Sequence, residues 1–242
     1  MPARFSRLSY LASTALALSI AGNQANANPT IQNPDFLNIT GSPKETFSNA
    51  APVGWSGGTN LVFIASSSTS SSNASSPCGS TYLQTYGCPS ALIISGGYNV
   101  VESDGNPTYN SSFYQTLTGL TVGENYSLSF YQAASQQSGF SGATTNQWIV
   151  GLGKTGTYLE AVKNSGGSNT SNCGPVNCYQ STDTSAKGAS IAASTLMSVP
   201  SGGLQNWEYV SVLMRPRAQT RRSAFSPGAI TATLPTCHPS HS

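Results

Sequence analysis

Residues 112–133, SFYQTLTGLTVGENYSLSFYQA, decide how the rest of the chain is read. Tyr126, Leu128 and Phe130 fall on one side of an extended backbone while Ser127, Ser129 and Tyr131 fall on the other, the period of two that marks a strand with one buried face. Gly123-Glu124-Asn125 supplies turn chemistry immediately before it, since glycine and asparagine accept the left-handed backbone that tight turns need. The segment predicts strand, turn, strand. Working outward, short apolar runs rich in β-branched and aromatic residues predict further strands at 59–65, 91–95, 98–102, 147–152, 158–162, 195–199 and 207–214. Beyond the N-terminal apolar run, no stretch sustains the i, i+3, i+4 spacing of an amphipathic helix. Strands at this spacing, separated by Gly and Asn turns, predict an all-β, antiparallel β-sandwich.

The two ends differ from this body. Arg4 and Arg7 precede an apolar run from Leu8 to Ala21, and Ala25-Asn26-Ala27 forms an A-x-A cleavage pattern. That combination predicts a signal peptide over 1–27 and an exported chain that is extracellular, periplasmic or on the cell surface. The apolar run is too short to span a bilayer, so no membrane span is expected in the mature chain. Arg4 and Arg7 are not adjacent and no Cys lies near the cleavage point, which argues against a twin-arginine or lipoprotein signal. The formal charge of +2 belongs to the ends. Between them only Lys44, Lys154, Lys163 and Lys187 stand against eight acids, so no basic groove for nucleic acid is expected.

Cysteine spacing agrees with an oxidising compartment. Cys78 and Cys88 flank GSTYLQTYG, and Cys173 and Cys178 flank GPVN. Two local disulfides are the preferred reading, although four thiols allow three pairings, and the spacings suit a zinc site poorly. The Ser-rich stretch 66–76 and the polar loop 164–172 have nothing to bury and separate strands rather than domains.

Several phrases carry a family likeness. Gln115-Thr116-Leu117, Gly119-Leu120, Gly123 and Tyr126-Ser127-Leu128-Ser129-Phe130 resemble the "Q-T-hydrophobic-x-G-L-x-x-G-x-x-Y-x-L-S-F" core of bacterial exported galactose-binding-like jelly rolls of the carbohydrate-binding-module type. The opening NPTIQNPDF, from Asn28, resembles their first strand, and Pro52-Val53-Gly54-Trp55 their "P-x-G-W" step into the second. The resemblance covers 28–214 and implies a jelly roll and a carbohydrate ligand class. Proteins of this kind often end in a Pro-Glu-Pro sorting signal.

After Met214 the likeness stops. The family pattern would continue through a penultimate strand ending "L-x-F" and a last strand containing "L-D-x-V". Neither occurs here, nor does the sorting signal. Residues 215–242 hold four of the six arginines, both histidines, the unpaired Cys237 and four prolines, with no acid. The expectation is a frame shift near Arg215, a non-native or disordered basic tail over 215–242, and a sandwich incomplete at its C-terminal end. A natural basic tail that binds an anionic surface is the other reading.

Candidate chemistry is sparse. His238 and His241 lie in that tail, and no G-x-S-x-G, H-E-x-x-H or phosphate-binding glycine loop occurs. A glycosidase needs two opposed carboxylates. Asp35, Glu45, Glu102, Asp104, Glu124, Glu160, Asp183 and Glu208 qualify only as acids, so no enzyme is expected. Saccharide binding needs less: an aromatic face against the apolar side of a sugar ring, with amides for its hydroxyls. Tyr131 with Gln132, Trp148 with Asn146 and Gln147, and Tyr109 with Asn110 are the candidates. Trp148 shares a face with Val150 and Leu152, which fits core packing better. Tyr131 points away from Tyr126, Leu128 and Phe130 and is the best of them. Asp104-Gly105-Asn106 is readable as part of a structural calcium site, and more simply as a turn. The functional expectation is non-catalytic polysaccharide binding; the alternative is a structural envelope or matrix protein that lacks a sugar site.

Overall fold

Alternating apolar and polar residues become strands in the computed structural model, which describes residues 17–20, 29–41, 49–57, 62–66, 78–79, 84–87, 89, 98–103, 112–154, 159–161, 179–181, 190–216, 228–233 and 236–237. Among these residues there are strands, turns and loops but no helix, so the described chain is all-β. In order the strands are β1 (Ala17–Ile20), β2 (Ser56–Gly57), β3 (Val62–Ser66), β4 (Cys78–Gly79), β5 (Gln84–Thr85) and β6 (Asn99–Ser103). There follow β7 (Phe113–Leu117), β8 (Tyr126–Ser135), β9 (Thr144–Asn146), β10 (Ile149–Lys154), β11 (Leu159–Ala161) and β12 (Tyr179–Ser181). The last are β13 (Ser190–Ala193), β14 (Met197–Val199), β15 (Leu204–Met214), β16 (Gly228–Thr233) and β17 (Thr236–Cys237). The strands expected near 112–117, 125–133, 147–152 and 207–214 are present with ends shifted by a few residues, while 91–95 lies outside the described residues.

Two sheets dominate. One has the order β1-β8-β15 and the other β13-β10-β16-β7-β2. β8 and β15 are the longest strands, paired antiparallel so that Tyr209 faces Tyr131, Ser211 faces Ser129 and Met214 faces Tyr126. Tyr126, Leu128 and Phe130 of β8, Val210, Val212 and Met214 of β15, Phe113 and Leu117 of β7, and Val150 and Leu152 of β10 meet in one buried cluster with Trp148, Trp55 and Phe36. Burying each large side chain there contributes about 1.5–3 kcal/mol relative to leaving it in water.

The residues of the 112–133 segment have identifiable jobs. Gly119 and Gly123 take φ of 81° and 86°, backbone open to glycine at no steric cost. The buried Tyr126 hydroxyl accepts the Thr121 N–H at 2.6 Å and so ties the turn to the strand that leaves it. Gln115, also buried, reaches across to the N-terminal loop: its Oε1 accepts the Gln32 N–H at 2.9 Å and its Nε2 donates to the Gln32 carbonyl at 3.3 Å. A side-chain amide thus stands in for a neighbouring strand. Trp55 Nε1 donates to the Gln32 and Asn33 carbonyls at 3.1 and 3.2 Å, which fixes the same loop from the other side.

Both ends of the chain carry strand pairings. Gly228–Thr233, inside the segment expected to be a non-native or disordered tail, is paired on both sides, with Ile230 opposite Leu152 of β10 and Gln115 of β7. The physical reason is the slot itself. Without β16 the facing edges of β7 and β10 would leave rows of N–H and C=O groups unpaired, and Ile230, Thr231 and Thr233 are residues with β propensity. Arg215 and Pro216 are also anchored: the Gly123 N–H donates to the Pro216 carbonyl at 2.9 Å, and Arg215 Nε donates to the Gly123 carbonyl. At the other end, Ala17–Ile20, within the expected signal peptide, pairs antiparallel with Tyr126–Ser129 of β8. Removal of 1–27 as a leader would open that edge.

Candidate functional site on the outer face of β8 and β15

Period-two alternation that sends Leu128 and Phe130 into the core sends Ser127, Ser129 and Tyr131 the other way. Tyr209, Ser211 and Leu213 do the same on β15. Antiparallel register then brings the two sets together as cross-strand neighbours. Tyr131 and Tyr209 meet edge to face, with ring centroids 5.1 Å apart and planes at 61°, a favoured geometry for aromatic pairs. Tyr131 is half-buried, whereas Tyr209 is 48% exposed. Next along the strands, Ser211 Oγ lies 2.5 Å from Ser127 Oγ and accepts from Ser129 Oγ at 3.0 Å. An aromatic pair therefore continues into a row of hydroxyls.

Among the described residues β15 is the outer strand of its sheet, and the chain around β13 comes close to it. Between them lies a cleft of about 340 Å³ lined by Ser194, Thr195, Tyr209, Val210, Ser211 and Val212. Two sets of bonds hold its far wall. The Ser194 N–H donates to the Trp148 carbonyl at 2.9 Å, the Trp148 N–H donates to Ser194 Oγ at 2.9 Å, and Gln147 Nε2 donates to the Ser194 carbonyl. Thr195 is gripped by Glu208 and Gln132: its hydroxyl donates to Glu208 Oε1 at 2.6 Å, and Gln132 Nε2 donates to its carbonyl at 2.9 Å.

Glu208 reaches this position because a bulge between Gln205 and Glu208 resets the register and sets Glu208 opposite Gln132. Its carboxylate also accepts from Gln132 Nε2 and from Gln205 Nε2, the latter at 3.3 Å. Such bonds to an ionised acceptor are stronger than neutral ones. Three polar atoms nearby remain buried and unbonded, Gln132 Oε1, Trp148 Nε1 and Trp207 Nε1. A buried polar atom without a partner costs about 1–3 kcal/mol.

The structure separates the residues expected to form a sugar site. Tyr131 lies on the outer face, as its alternation predicts. Gln132 is fully buried and bonded to Thr195 and Glu208, so it organises the cleft from inside and cannot meet a ligand on the outer face. Trp148 is fully buried, edge-on to Phe113 at 6.0 Å and 90°. Asn146 is buried in β9, opposite Met197 and Thr236. The 146–148 segment thus supports the cleft wall from behind and presents no aromatic platform. Tyr109, Asp104, Cys88, Cys173 and Cys178 lie outside the described residues, and Cys78 is described only as backbone opposite Thr85.

Tyr209, Ser211, Ser194 and Thr195 were not singled out from the sequence. The signal for Tyr209 was present, because Val210, Val212 and Met214 alternate as clearly as Tyr126, Leu128 and Phe130 do. Ser194 and Thr195 carried no such signal. Among the described residues no three His, Cys, Asp or Glu side chains converge on a point that would hold a metal, and no helix is long and apolar enough to cross a membrane. No family model, curated protein or solved structure matches the chain. The arrangement itself can stack a ring, exchange hydrogen bonds with hydroxyl groups and enclose a small neutral group.

Proposed function

We propose that this chain is an exported, non-catalytic β-sandwich of the jelly-roll type that binds a cell-surface or extracellular polysaccharide through the outer face of β8 and β15. The observation that carries the proposal is the Tyr131–Tyr209 pair, partly exposed and continuous with the Ser127–Ser129–Ser211 hydroxyls and the adjoining cleft. A pyranose has an apolar face of C–H groups and a rim of hydroxyls, and such a surface complements both. Binding needs no titratable pair, which suits a surface where Glu208 is held by three donors. The resemblance of 28–214 to carbohydrate-binding jelly rolls points the same way.

A second reading is a structural protein of the envelope or matrix that lacks a sugar site. Burial of Trp55 and Trp148 favours it, since neither indole is available to a ligand. Retention of the full-length chain on a panel of insoluble polysaccharides separates the two. Retention lost in Tyr209→Ala and weakened in Tyr131→Ala, with both variants folded, is the expected result. No retention of the folded wild-type chain on any glycan would leave the structural reading in place.

A further inference from the structure

The two long strands of the sheet β1-β8-β15 are built differently as edges. β15 is interrupted by the bulge between Gln205 and Glu208, carries the Glu208 carboxylate and runs into Arg215-Pro216, features that discourage a further strand from adding. β8 has none of them. Tyr126–Ser135 is ten residues long and holds no charged residue, proline or glycine, and its pairing with β1 over Tyr126–Ser129 is unbroken. Among the described residues β1 is the only strand on that side of β8. Since β1 is Ala17–Ile20, export with loss of residues 1–27 takes the cover away. What remains is a long, uncharged, apolar edge, the kind that recruits another strand.

We infer that this edge of β8 is where a second copy of the exported chain joins, strand against strand about a two-fold axis at Leu128. The inference rests on the exported reading above and not on saccharide binding. β8 is nearly its own complement, because Tyr126-Ser127-Leu128-Ser129-Phe130 has the same residue types read in either direction. Antiparallel pairing centred on Leu128 sets it opposite the partner's Leu128, Ser127 opposite the partner's Ser129, and Tyr126 opposite the partner's Phe130. Every buried residue of the cluster formed by Tyr126, Leu128 and Phe130 then keeps its side of the sheet, as a strand register must. Aromatic pairs and serine pairs across strands both favour the contact. β1 already presents that order: Leu18 lies opposite Leu128, Ser19 opposite Ser127, Ala17 opposite Ser129 and Ile20 opposite Tyr126. A second β8 replaces these with Leu, Ser, Ser and Phe in turn. The joined sheet sets two Tyr131–Tyr209 pairs on one continuous outer face, where a polymer of repeated units can be held at two points. About five residue pairs make an interface below standard size, so the expected dissociation constant is about 1–100 µM.

Expression of the full-length chain in an exporting host, mass spectrometry of the recovered protein and sedimentation equilibrium test this. The expected result is a chain that has lost residues 1–27 and equilibrates between monomer and dimer in that range. A folded, cleaved chain that stays monomeric up to about 500 µM overturns the inference and leaves the exported reading standing. Recovery with residues 1–27 attached overturns the exported reading and, because β1 then keeps the edge, the inference with it. Ser127 tests the register. It is half-buried on the outer side of β8, and the two copies of it flank the axis as diagonal neighbours about 7–8 Å apart. Ser127→Lys and Ser127→Glu should each weaken dimerisation about threefold to tenfold through like charges, and an equimolar mixture of the two should recover the wild-type affinity. Dimerisation of Ser127→Lys as tight as wild type, or no recovery on mixing, places the contact elsewhere and overturns the inference.

Discussion

The loop around Phe36 and the outer face of β8 and β15 put similar residue types to opposite uses. Around Phe36 the aromatic rings turn inward: Phe36 lies edge-on to Trp55 at 5.1 Å and to Phe113 at 6.1 Å, and Trp55 packs on Phe113 at 5.3 Å. The amides there serve the backbone. Gln115 holds Gln32, Asn33 Nδ2 donates to the Asn38 carbonyl at 2.7 Å, and Asn99 Nδ2 donates to the Phe36 carbonyl at 2.8 Å. On β8 and β15 the rings and hydroxyls turn outward instead, while buried atoms without partners occur in both regions, Trp148 Nε1 beside Phe113 and Gln132 Oε1 and Trp207 Nε1 on β8 and β15. Backbone strain follows the packing. Phe36 sits at φ 52°, an outlier for a bulky residue, and is held there by its rings and by the Asn99 bonds. Strain in this molecule marks the loop that is locked, not the face that is open.

Breaking the closed region should have the largest effect. Phe113 is fully buried and touches Phe36, Trp55 and Trp148, so Phe113→Ala is expected to cost about 3–5 kcal/mol, read as a lowered urea midpoint with an unchanged slope. A loss below about 1 kcal/mol would show that the ring cluster is not what holds the two sheets together. Gln115→Ala should cost less, about 1–3 kcal/mol, because it leaves the Gln32 N–H without its partner, while the Gln32 carbonyl keeps the Trp55 indole. Hydrogen exchange offers a local check: the Gln32 amide should lose protection in that variant more than the amides of β8 do. Uniform loss across both regions would mean that Gln115 acts through global stability and not by pinning the loop.

The two regions were not equally legible in the sequence. β7 and β8 stood out because alternation, turn glycines and a tyrosine are local signals, and each has a local cause: Gly119, Gly123 and the Tyr126–Thr121 bond lie within one short segment. Tyr131 was legible for the same reason. Its partner Tyr209 was not, since only the register of β15 on β8 brings the rings together, and the bulge before Glu208 is invisible to a pattern count. Gln132 follows the Phe130 side of the alternation, and that parity places it inside; pairing it with Tyr131 as a surface amide overlooked the pleat. β16 carries little signal of its own, because Gly228-Ala229-Ile230-Thr231-Ala232-Thr233 has one large apolar residue and follows a run of Arg, Ser and Pro. Its place comes from two open strand edges far away in the sequence, not from its own composition.

The smallest expected change is the most discriminating test of the open face. Ser211 is exposed, and its hydroxyl joins those of Ser127 and Ser129. If the row of hydroxyls only decorates the surface, Ser211→Ala should change neither stability nor binding. If it meets a saccharide, the same variant should shift stability by less than about 0.5 kcal/mol while weakening polysaccharide binding about threefold to tenfold, the effect of one hydrogen bond. The alanine keeps the strand pairing with Ser129 and adds no bulk beside Tyr209, so a binding loss without a stability loss has no structural route other than the missing hydroxyl. Stability and binding falling together would make the serine row part of the sheet's own support and would turn the open region into a second closed one.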